Sequence, residues 1–200
     1  MRELLIATKN PGKLKELQEL LRPLGIGVLS LADLPPMPDI IEDGDSFAAN
    51  AVKKARETSR HTGYITMADD SGLIVDALNG LPGINSARFA GDNASDADNN
   101  GKLLELLAGV EQGKRTARFV CVIAIGDKNG KVVTVEGRCE GRIDVAPKGS
   151  AGFGYDPLFI PTGHQISFAQ LSSQEKHKIS HRGQALNQAI PLIKQFFVEE

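Results

Sequence analysis

Short apolar segments alternate with helical patterns through the first half of the chain, and this alternation most constrains its fold. Residues 4–7 form a continuous apolar run typical of a buried strand, and leucines then recur at helical spacing over residues 11–22. Asn10 is a good helix cap, and Pro11 suits the first helical position because its missing N–H would be unpaired there. We therefore predict a strand followed directly by an amphipathic helix.

The rest of the chain continues both patterns. We predict further helices at residues 46–60, 95–107 and 184–197, the last kinked or restarted at Pro191. We predict further strands at residues 26–31, 64–68, 115–125 and 131–136, and an apolar segment at residues 73–78. The hairpin composition of residues 127–130 favours antiparallel pairing in the second half. Together these elements predict an α/β fold with a mixed β-sheet and flanking helices.

Length and composition exclude several classes of protein. The 200 residues contain no linker, so we predict a single domain over residues 1–200. The longest apolar run, residues 119–125, is far shorter than the roughly 20 residues of a membrane-spanning helix. A net charge of −2 argues against a nucleic-acid binder. Cys121 and Cys139 form no disulfide framework, so the expected compartment is the reducing cytoplasm.

The first candidate site lies between the first strand and the first helix. It consists of Thr8, Lys9, Asn10, Pro11, Gly12 and Lys13. A helix N-terminus offers free N–H groups and a positive dipole end, so it suits a phosphate group, and Lys13 adds a positive charge. The segment lacks the GxxxxGK[ST] pattern of a Walker A loop. The alternative interpretation is an ordinary capped helix start with solvated lysines.

The second candidate site is the run Asp69-Asp70-Ser71, which follows an apolar strand. Adjacent carboxylates at a strand end are costly unless a cation or hydrogen-bond donors share them. Mg²⁺ takes one or two protein carboxylates and completes its shell with water and phosphate oxygens. Glu42, from another loop, is a candidate for the second carboxylate. The alternative is a simple turn, because Asp, Ser and Gly favour turns.

A glycine-rich segment with two aromatic residues forms the third candidate. Residues 149–157 do not match GxGxxG, and no helix follows them, so a dinucleotide fingerprint is rejected. Glycines beside Phe153 and Tyr155 allow a ring to line a cleft. The alternative is a flexible loop whose aromatic rings belong to the core.

The fourth candidate is the basic run of residues 176–183. His177 and His181 have the spacing of a zinc helix, but Lys178 stands where the HExxH motif needs Glu, and no third ligand is apparent. A cluster of donors is better suited to carbonyl or phosphate oxygens. The alternative is a solvated basic helix start.

The order and spacing of these motifs resemble the inosine triphosphate pyrophosphatase family, hydrolases of non-standard purine nucleoside triphosphates. The matching residues are 7–13, 42–44, 47, 50–51, 54–55, 68–73, 80–84, 86–89, 153–157 and 180–186. The resemblance implies an elongated sheet in two lobes with the active-site cleft between them. It also implies a homodimer, dependence on Mg²⁺, and cleavage of the substrate to a nucleoside monophosphate and pyrophosphate.

The same resemblance assigns roles to individual residues. The triphosphate would be held by Thr8, Lys9, Asn10, Pro11, Gly12, Lys13 and Lys54. The metal would be held by Glu42, Asp69 and Asp70, with Asp70 as the proton acceptor. The substrate contacts, mostly around the base, would be Ser71, Phe153, Gly154, Tyr155, Asp156, Lys176, His181 and Arg182. Asp43 adds a carboxylate beside Glu42, which leaves open which of the two meets the metal.

Two other functions remain open from the sequence alone. One is a Maf-type pyrophosphatase acting on pyrimidine or modified nucleotides, and the other is a non-catalytic regulator that binds nucleotides. The paired carboxylates Glu42 and Asp70 argue against the regulator, because binding alone does not require them. No nucleic-acid or membrane partner is expected. For the purine enzyme, donors such as Arg182 would pair with the C6 oxygen of hypoxanthine and reject adenine, whose amino group is itself a donor.

Overall fold

The sheet is mixed, as predicted, in the computed structural model, which describes residues 3–199. Six strands of these residues lie in the order β2-β1-β3-β4-β5-β6. β1 pairs parallel with β2 and β3, whereas β5 and β6 are antiparallel. The strands are β1 Glu3–Ile6, β2 Gly27–Ser30, β3 Thr66–Val75, β4 Thr116–Gly126, β5 Val132–Ile143 and β6 Phe159–Pro161. The helices are α1 Pro11–Leu21, α2 Phe47–Thr62, α3 Asp96–Leu106, α4 Ser173–Ile179 and α5 His181–Glu199.

The predicted start of the fold is confirmed. β1 is followed at once by α1, and the Asn10 side chain accepts a hydrogen bond from the backbone N–H of Lys13 at 3.0 Å. Leu17 and Leu21 of α1 are buried with Leu4 and Ile6 of β1. The 3.6-residue period of the leucines therefore places this face of the helix on the strand.

β3 differs from its prediction in a way that matters for the candidate site. Residues 64–68 and 73–78 were expected as two segments separated by a turn or strand end, but β3 runs unbroken from Thr66 to Val75. Asp69 and Asp70 therefore lie inside a strand and are only 1% and 7% exposed. Their turn propensity is overridden because positively charged side chains from elsewhere in the chain pair with both carboxylates.

The C-terminal elements also differ from their prediction. α5 begins at His181 and passes through Pro191 without restarting. His177 belongs to α4, so the spacing of four between the two histidines does not place them on one helix. Ser180 lies between the two helices in extended conformation, which separates them. None of the helices within residues 3–199 is long and apolar enough to cross a membrane.

The chain divides into two compact units. The first comprises the described residues of Met1–Asp70, Cys121–Gly137 and Arg182–Glu200, and the second comprises Ser71–Val120 and Arg138–His181. Each unit has an apolar core of its own. The chain passes from one unit to the other at four points: after Asp70 in β3, after Val120 in β4, after Gly137 in β5 and after His181.

Candidate active site

The N-terminus of α1 is built as the sequence predicts. Thr8 Oγ1 accepts a hydrogen bond from the N–H of Asn10 at 3.2 Å, and the Asn10 side chain caps the helix. The first turn of α1 contains no acidic residue, so nothing within it neutralises the positive end of the helix dipole. Lys9 is exposed and pairs with Asp39. The N-terminus of α1 therefore retains the positive end of the helix dipole, which favours binding of an anion.

Lys13 reaches from α1 to the buried carboxylate of Asp69 in β3. Its Nζ lies 3.2 Å from Asp69 Oδ2, and the guanidinium of Arg182 donates to the same oxygen at 3.1 Å. Burial alone would raise the pKa of Asp69, but Lys13 and Arg182 outweigh it and hold that pKa well below its usual range. Asp69 is therefore ionised at neutral pH, and its carboxylate is engaged by two cations.

Arg182 itself is 1% exposed. Besides Asp69, it donates to the carboxylate of Glu16 at 2.6 Å. Sequence analysis missed Glu16, although a signal was present: it follows Lys13 by three residues, which places both side chains on one side of α1. The two carboxylates hold Arg182 in the first unit, where it is anchored against the strand that carries Asp69.

Lys54 of α2 connects three groups of the second candidate site. Its Nζ donates to Glu42 Oε2 at 2.8 Å and to the backbone oxygen of Asp69 at 2.8 Å, and it lies 3.4 Å from Asp70 Oδ1. The sequence matched Lys54 to a phosphate-binding position, and the structure brings it together with Glu42 and Asp70. Glu42 and Asp70, which were predicted as metal ligands, thus both approach one ammonium group in the first unit.

Asn50, one turn before Lys54 in α2, also contacts Asp70 and the loop that carries Glu42. Its Nδ2 donates to Asp70 Oδ2 at 3.2 Å, and its Oδ1 accepts from the N–H of Gly44 at 2.8 Å. A Cβ on Gly44 would lie 2.7 Å from that Oδ1, so the approach requires glycine. Asn50 therefore links the loop that carries Glu42 to the strand that carries Asp70.

The pKa of Asp70 is shifted in the direction that a general base requires. Burial and the nearby Glu42 carboxylate raise this pKa, and they outweigh Lys54 and Asn50, which lower it. For Lys54, burial lowers the pKa, but the surrounding carboxylates outweigh it and raise the pKa above its usual value. The neighbouring carboxyls of Asp69 and Asp70 thus have pKa values shifted in opposite directions. Such pairs are typical of catalytic sites, where one group carries fixed charge and the other exchanges a proton.

The donor chemistry of Glu42 and Asp70 fits a hard divalent cation. Their carboxylates both approach the ammonium of Lys54, which shows that a positive charge can be shared between them. Mg²⁺ commonly takes one or two carboxylates. Over residues 3–199, no group of three or more His, Cys, Asp or Glu side chains is arranged to hold a metal. Asp43 instead pairs with Lys53 at 2.7 Å.

In the second unit, the aromatic segment is ordered around Asp156. Its Oδ2 accepts from the N–H of Phe153 at 2.9 Å and from Lys176 Nζ at 2.6 Å. The Lys176 ammonium also lies 5.2 Å from the centre of the Phe153 ring. Phe153 is half-buried, unlike the fully buried Asp156 and Lys176. Phe153, Asp156 and Lys176 are therefore brought together as a group.

The remaining predicted substrate residues of the second unit lie in or beside its core. The Tyr155 hydroxyl donates to the backbone oxygen of Ser86 at 2.8 Å, so this ring is a core residue, as one interpretation of the sequence held. The His181 ring stacks on Phe119 with centroids 4.6 Å apart. Ser71 is half-buried in β3. The contacts of Tyr155 and His181 therefore pack these two rings into the second unit and leave little of them exposed to solvent.

Comparison with known proteins shows the family of this chain. The sequence model of the Ham1 family matches residues 4–192. This chain belongs to the Ham1 family. The match covers most of both units, and with them all four candidate sites recognised in the sequence. It favours the purine enzyme over the Maf-type alternative.

Individual relatives and solved structures are similar to the Ham1-family chain over nearly its full length. A dITP/XTP pyrophosphatase of Desulforamulus reducens is 50% identical over 198 residues, which are 99% of this chain and 98% of the relative. The structure of a HAM1 protein from Coxiella burnetii superposes with a TM-score of 0.87 at 44% identity, covering 98% of this chain and 100% of that one. The dITP/XTP pyrophosphatase of Mycobacterium abscessus gives a TM-score of 0.76 at 44% identity, over 96% and 99% of the two chains.

Proposed function

We propose that this chain hydrolyses non-standard purine nucleoside triphosphates, namely dITP, XTP and ITP, to the nucleoside monophosphate and pyrophosphate. The dITP/XTP pyrophosphatases to which it is 50% identical support this substrate class. The observation that carries the proposal is the group in the first unit formed by Lys13, Lys54, Glu42 and Asp70. A regulator that only binds nucleotides has no use for a buried carboxyl whose pKa is raised beside a second carboxylate.

Lys13 and Lys54 reduce the electrostatic repulsion between the substrate and a carboxylate base. A nucleoside triphosphate carries about four negative charges, which would repel a carboxylate base. Lys13 and Lys54 offset this charge. The Lys13 ammonium has three donors, so its contact with Asp69 does not exhaust its capacity. The N-terminus of α1 adds N–H groups and the positive end of its dipole for a phosphate group.

Asp70 acts on the attacking water in this mechanism. The water oxygen forms a bond to the α-phosphorus, and the bond from that phosphorus to the bridging oxygen of the β-phosphate breaks. Pyrophosphate leaves with the electron pair of that bond, and Asp70 accepts the proton of the water. Burial raises the pKa of Asp70 in the protein alone, and this direction favours uptake of a proton by its carboxylate.

Glu42 and Asp70 are the residues that would hold Mg²⁺. When bound, the ion would stabilise charge that develops on the pyrophosphate. Asp69, which the resemblance included among the metal ligands, would instead keep Lys13 and Arg182 in place, because its carboxylate already accepts from both. We propose Mg²⁺ as the cofactor on the basis of this donor set and the family resemblance.

The aromatic segment of the second unit would bind the base. The half-buried Phe153 ring offers a stacking surface for any purine. Lys176, held by Asp156, adds a donor whose natural partner is an oxygen such as that at C6 of hypoxanthine or xanthine. Adenine would place a donor against a donor there and leave both unpaired. ATP is therefore expected to be a poor substrate.

Two further properties follow from the family resemblance. We propose that the protein is a homodimer and that it acts in the cytoplasm, where nucleoside triphosphates are made and used. Light scattering after gel filtration tests the first. A mass near twice the 21.4 kDa of one chain is expected, and a mass of one chain would contradict it.

The proposed function is tested by turnover of dITP, XTP, ITP, ATP and a pyrimidine triphosphate with Mg²⁺, followed by phosphorus NMR. We expect pyrophosphate from the first three and little product from the last two. Chelation with EDTA should stop the reaction, and excess Mg²⁺ should restore it. Preference for the pyrimidine would favour a Maf-type activity. Binding without turnover would favour a regulator, and orthophosphate as the first product would contradict the proposed bond cleavage.

A further inference from the structure

The loop that carries Phe153 is tied to α3 by two side chains that have no part in the function proposed above. Asp96 Oδ2 accepts from the N–H of Gly154 at 2.6 Å. Asn100 Nδ2 donates to the backbone oxygen of the same Gly154 at 2.8 Å. Both polar groups of one peptide residue are thus held by side chains one helical turn apart, on the same face of α3.

The Asp96 side chain does not serve the helix itself, whereas Asn100 Nδ2 also donates to the backbone oxygen of Asp96 at 2.7 Å. Ser95 caps α3, and the reciprocal bond of the capping box comes from Asp98, whose Oδ2 accepts from the N–H of Ser95 at 2.8 Å. Asp96 and Asp98 are both exposed and both lie in the first turn. The helix therefore has its cap from Asp98, and the Asp96 carboxylate is directed to the loop.

The loop is also constrained from its other side. Asp156 accepts from the N–H of Phe153 at 2.9 Å, and a Cβ at Gly152 would lie 2.0 Å from its carboxylate. Gly154 has a φ of +61°, a conformation that costs other residues free energy. The N–H of the half-buried Phe153 is therefore held by Asp156, and both backbone groups of the next residue, Gly154, are held from α3.

We propose that Asp96 and Asn100 are positioning residues that hold residues 152–156 in the conformation that reads the purine base. This inference rests on the proposed function, because it takes the aromatic segment as the base-binding loop. A hydrogen bond to the base depends on the placement of its donor to within a few tenths of an ångström. Stacking tolerates larger shifts. Loosening the loop should therefore cost dITP more than dATP.

The test compares Asp96→Ala with Asp98→Ala as the matched control. Asp98→Ala removes a first-turn carboxylate and weakens the cap, so its Tm should fall while the loop keeps its tie. Asp96→Ala should raise KM for dITP by about tenfold, as expected for a lost charge-assisted hydrogen bond, with kcat nearly unchanged. It should also lower the ratio of kcat/KM for dITP over dATP severalfold. Asp96→Asn retains an acceptor and should restore most of that ratio.

Hydrogen exchange of the Gly154 amide gives a readout without substrate. The rate should rise in Asp96→Ala and stay at the wild-type value in Asp98→Ala. If the wild type is active but Asp96→Ala leaves the ratio of kcat/KM for dITP over dATP unchanged, the role of α3 is overturned and the proposed function is not. A similar fall in that ratio in Asp98→Ala would also overturn it, because general loss of stability would then explain both. A wild type that hydrolyses no purine triphosphate would contradict the proposed function and, with it, this role.

Discussion

At the scale of single residues, the two adjacent aspartates of β3 have opposite electrostatic environments. Asp69 is paired with Lys13 and Arg182, and its pKa is lowered. Asp70 is buried near Glu42, and its pKa is raised despite Lys54. Neighbours in sequence point to opposite faces of a strand, so each aspartate meets a different set of side chains. One carboxylate is thus held ionised by its partners, and the other is the one that we propose for proton transfer.

Asp70→Asn is expected to lower activity and raise stability together. The asparagine still accepts from Asn50 but cannot take the proton, and loss of a general base lowers kcat by about 10²–10⁴-fold. Because the folded-state pKa of Asp70 is raised, its ionised form destabilises the fold at neutral pH. Tm should therefore rise in the variant. Thermal unfolding and turnover at saturating Mg²⁺ measure both effects, and near-wild-type turnover would contradict the role of Asp70.

Asp69 should contribute to stability in the opposite sense. Its pKa is lowered on folding, so its stabilisation is present above the unfolded value of about 3.9 and disappears as pH falls toward the folded value. We expect Asp69→Asn to lower Tm at pH 7 and to flatten the decline of Tm below about pH 5. Asp43→Asn removes only an exposed partner of Lys53 and should change Tm little. An equally steep acid decline in Asp69→Asn would contradict this account.

At the scale of elements, the sequence predicted those strands and helices whose formation depends on residues close together in the chain. The β1–α1 junction could be predicted because Asn10, Pro11 and the leucine spacing all act within a few residues. The continuity of β3 through Asp69 could not, because Arg182, a partner of that buried carboxylate, lies 113 positions away in the chain. The place of Glu16 in that network was missed for the same reason, since its partner lies 166 positions away.

Asn50 provides an element-scale prediction, because α2 uses it to connect the Glu42 loop with β3. Asn50→Ala removes the hydrogen bonds to Gly44 and Asp70, so the two carboxylates should lose their mutual placement. Removing a residue that orients metal ligands commonly costs 10–100-fold in metal affinity, and we expect about that rise in the Mg²⁺ concentration for half-maximal activity. Lys53→Ala, on the same helix, is the control and should leave that concentration unchanged.

At the scale of the whole molecule, the chain carries two groups of proposed site residues in two compact units. The first unit holds the charged group around Asp69 and Asp70, and the second holds the aromatic loop around Phe153. The sequence predicted both groups because each contains a short, unusual run of residue types. It did not predict which members are buried supports, as Tyr155 is, because burial depends on packing from distant parts of the chain.

The central claim is that water activated by Asp70 attacks the α-phosphorus. Hydrolysis of dITP in water enriched in oxygen-18, followed by mass spectrometry of both products, tests it most directly. Attack at the α-phosphorus places the heavy oxygen in the nucleoside monophosphate and leaves pyrophosphate unlabelled. Label in pyrophosphate, with an unlabelled monophosphate, would mean attack at the β-phosphorus and would contradict the account.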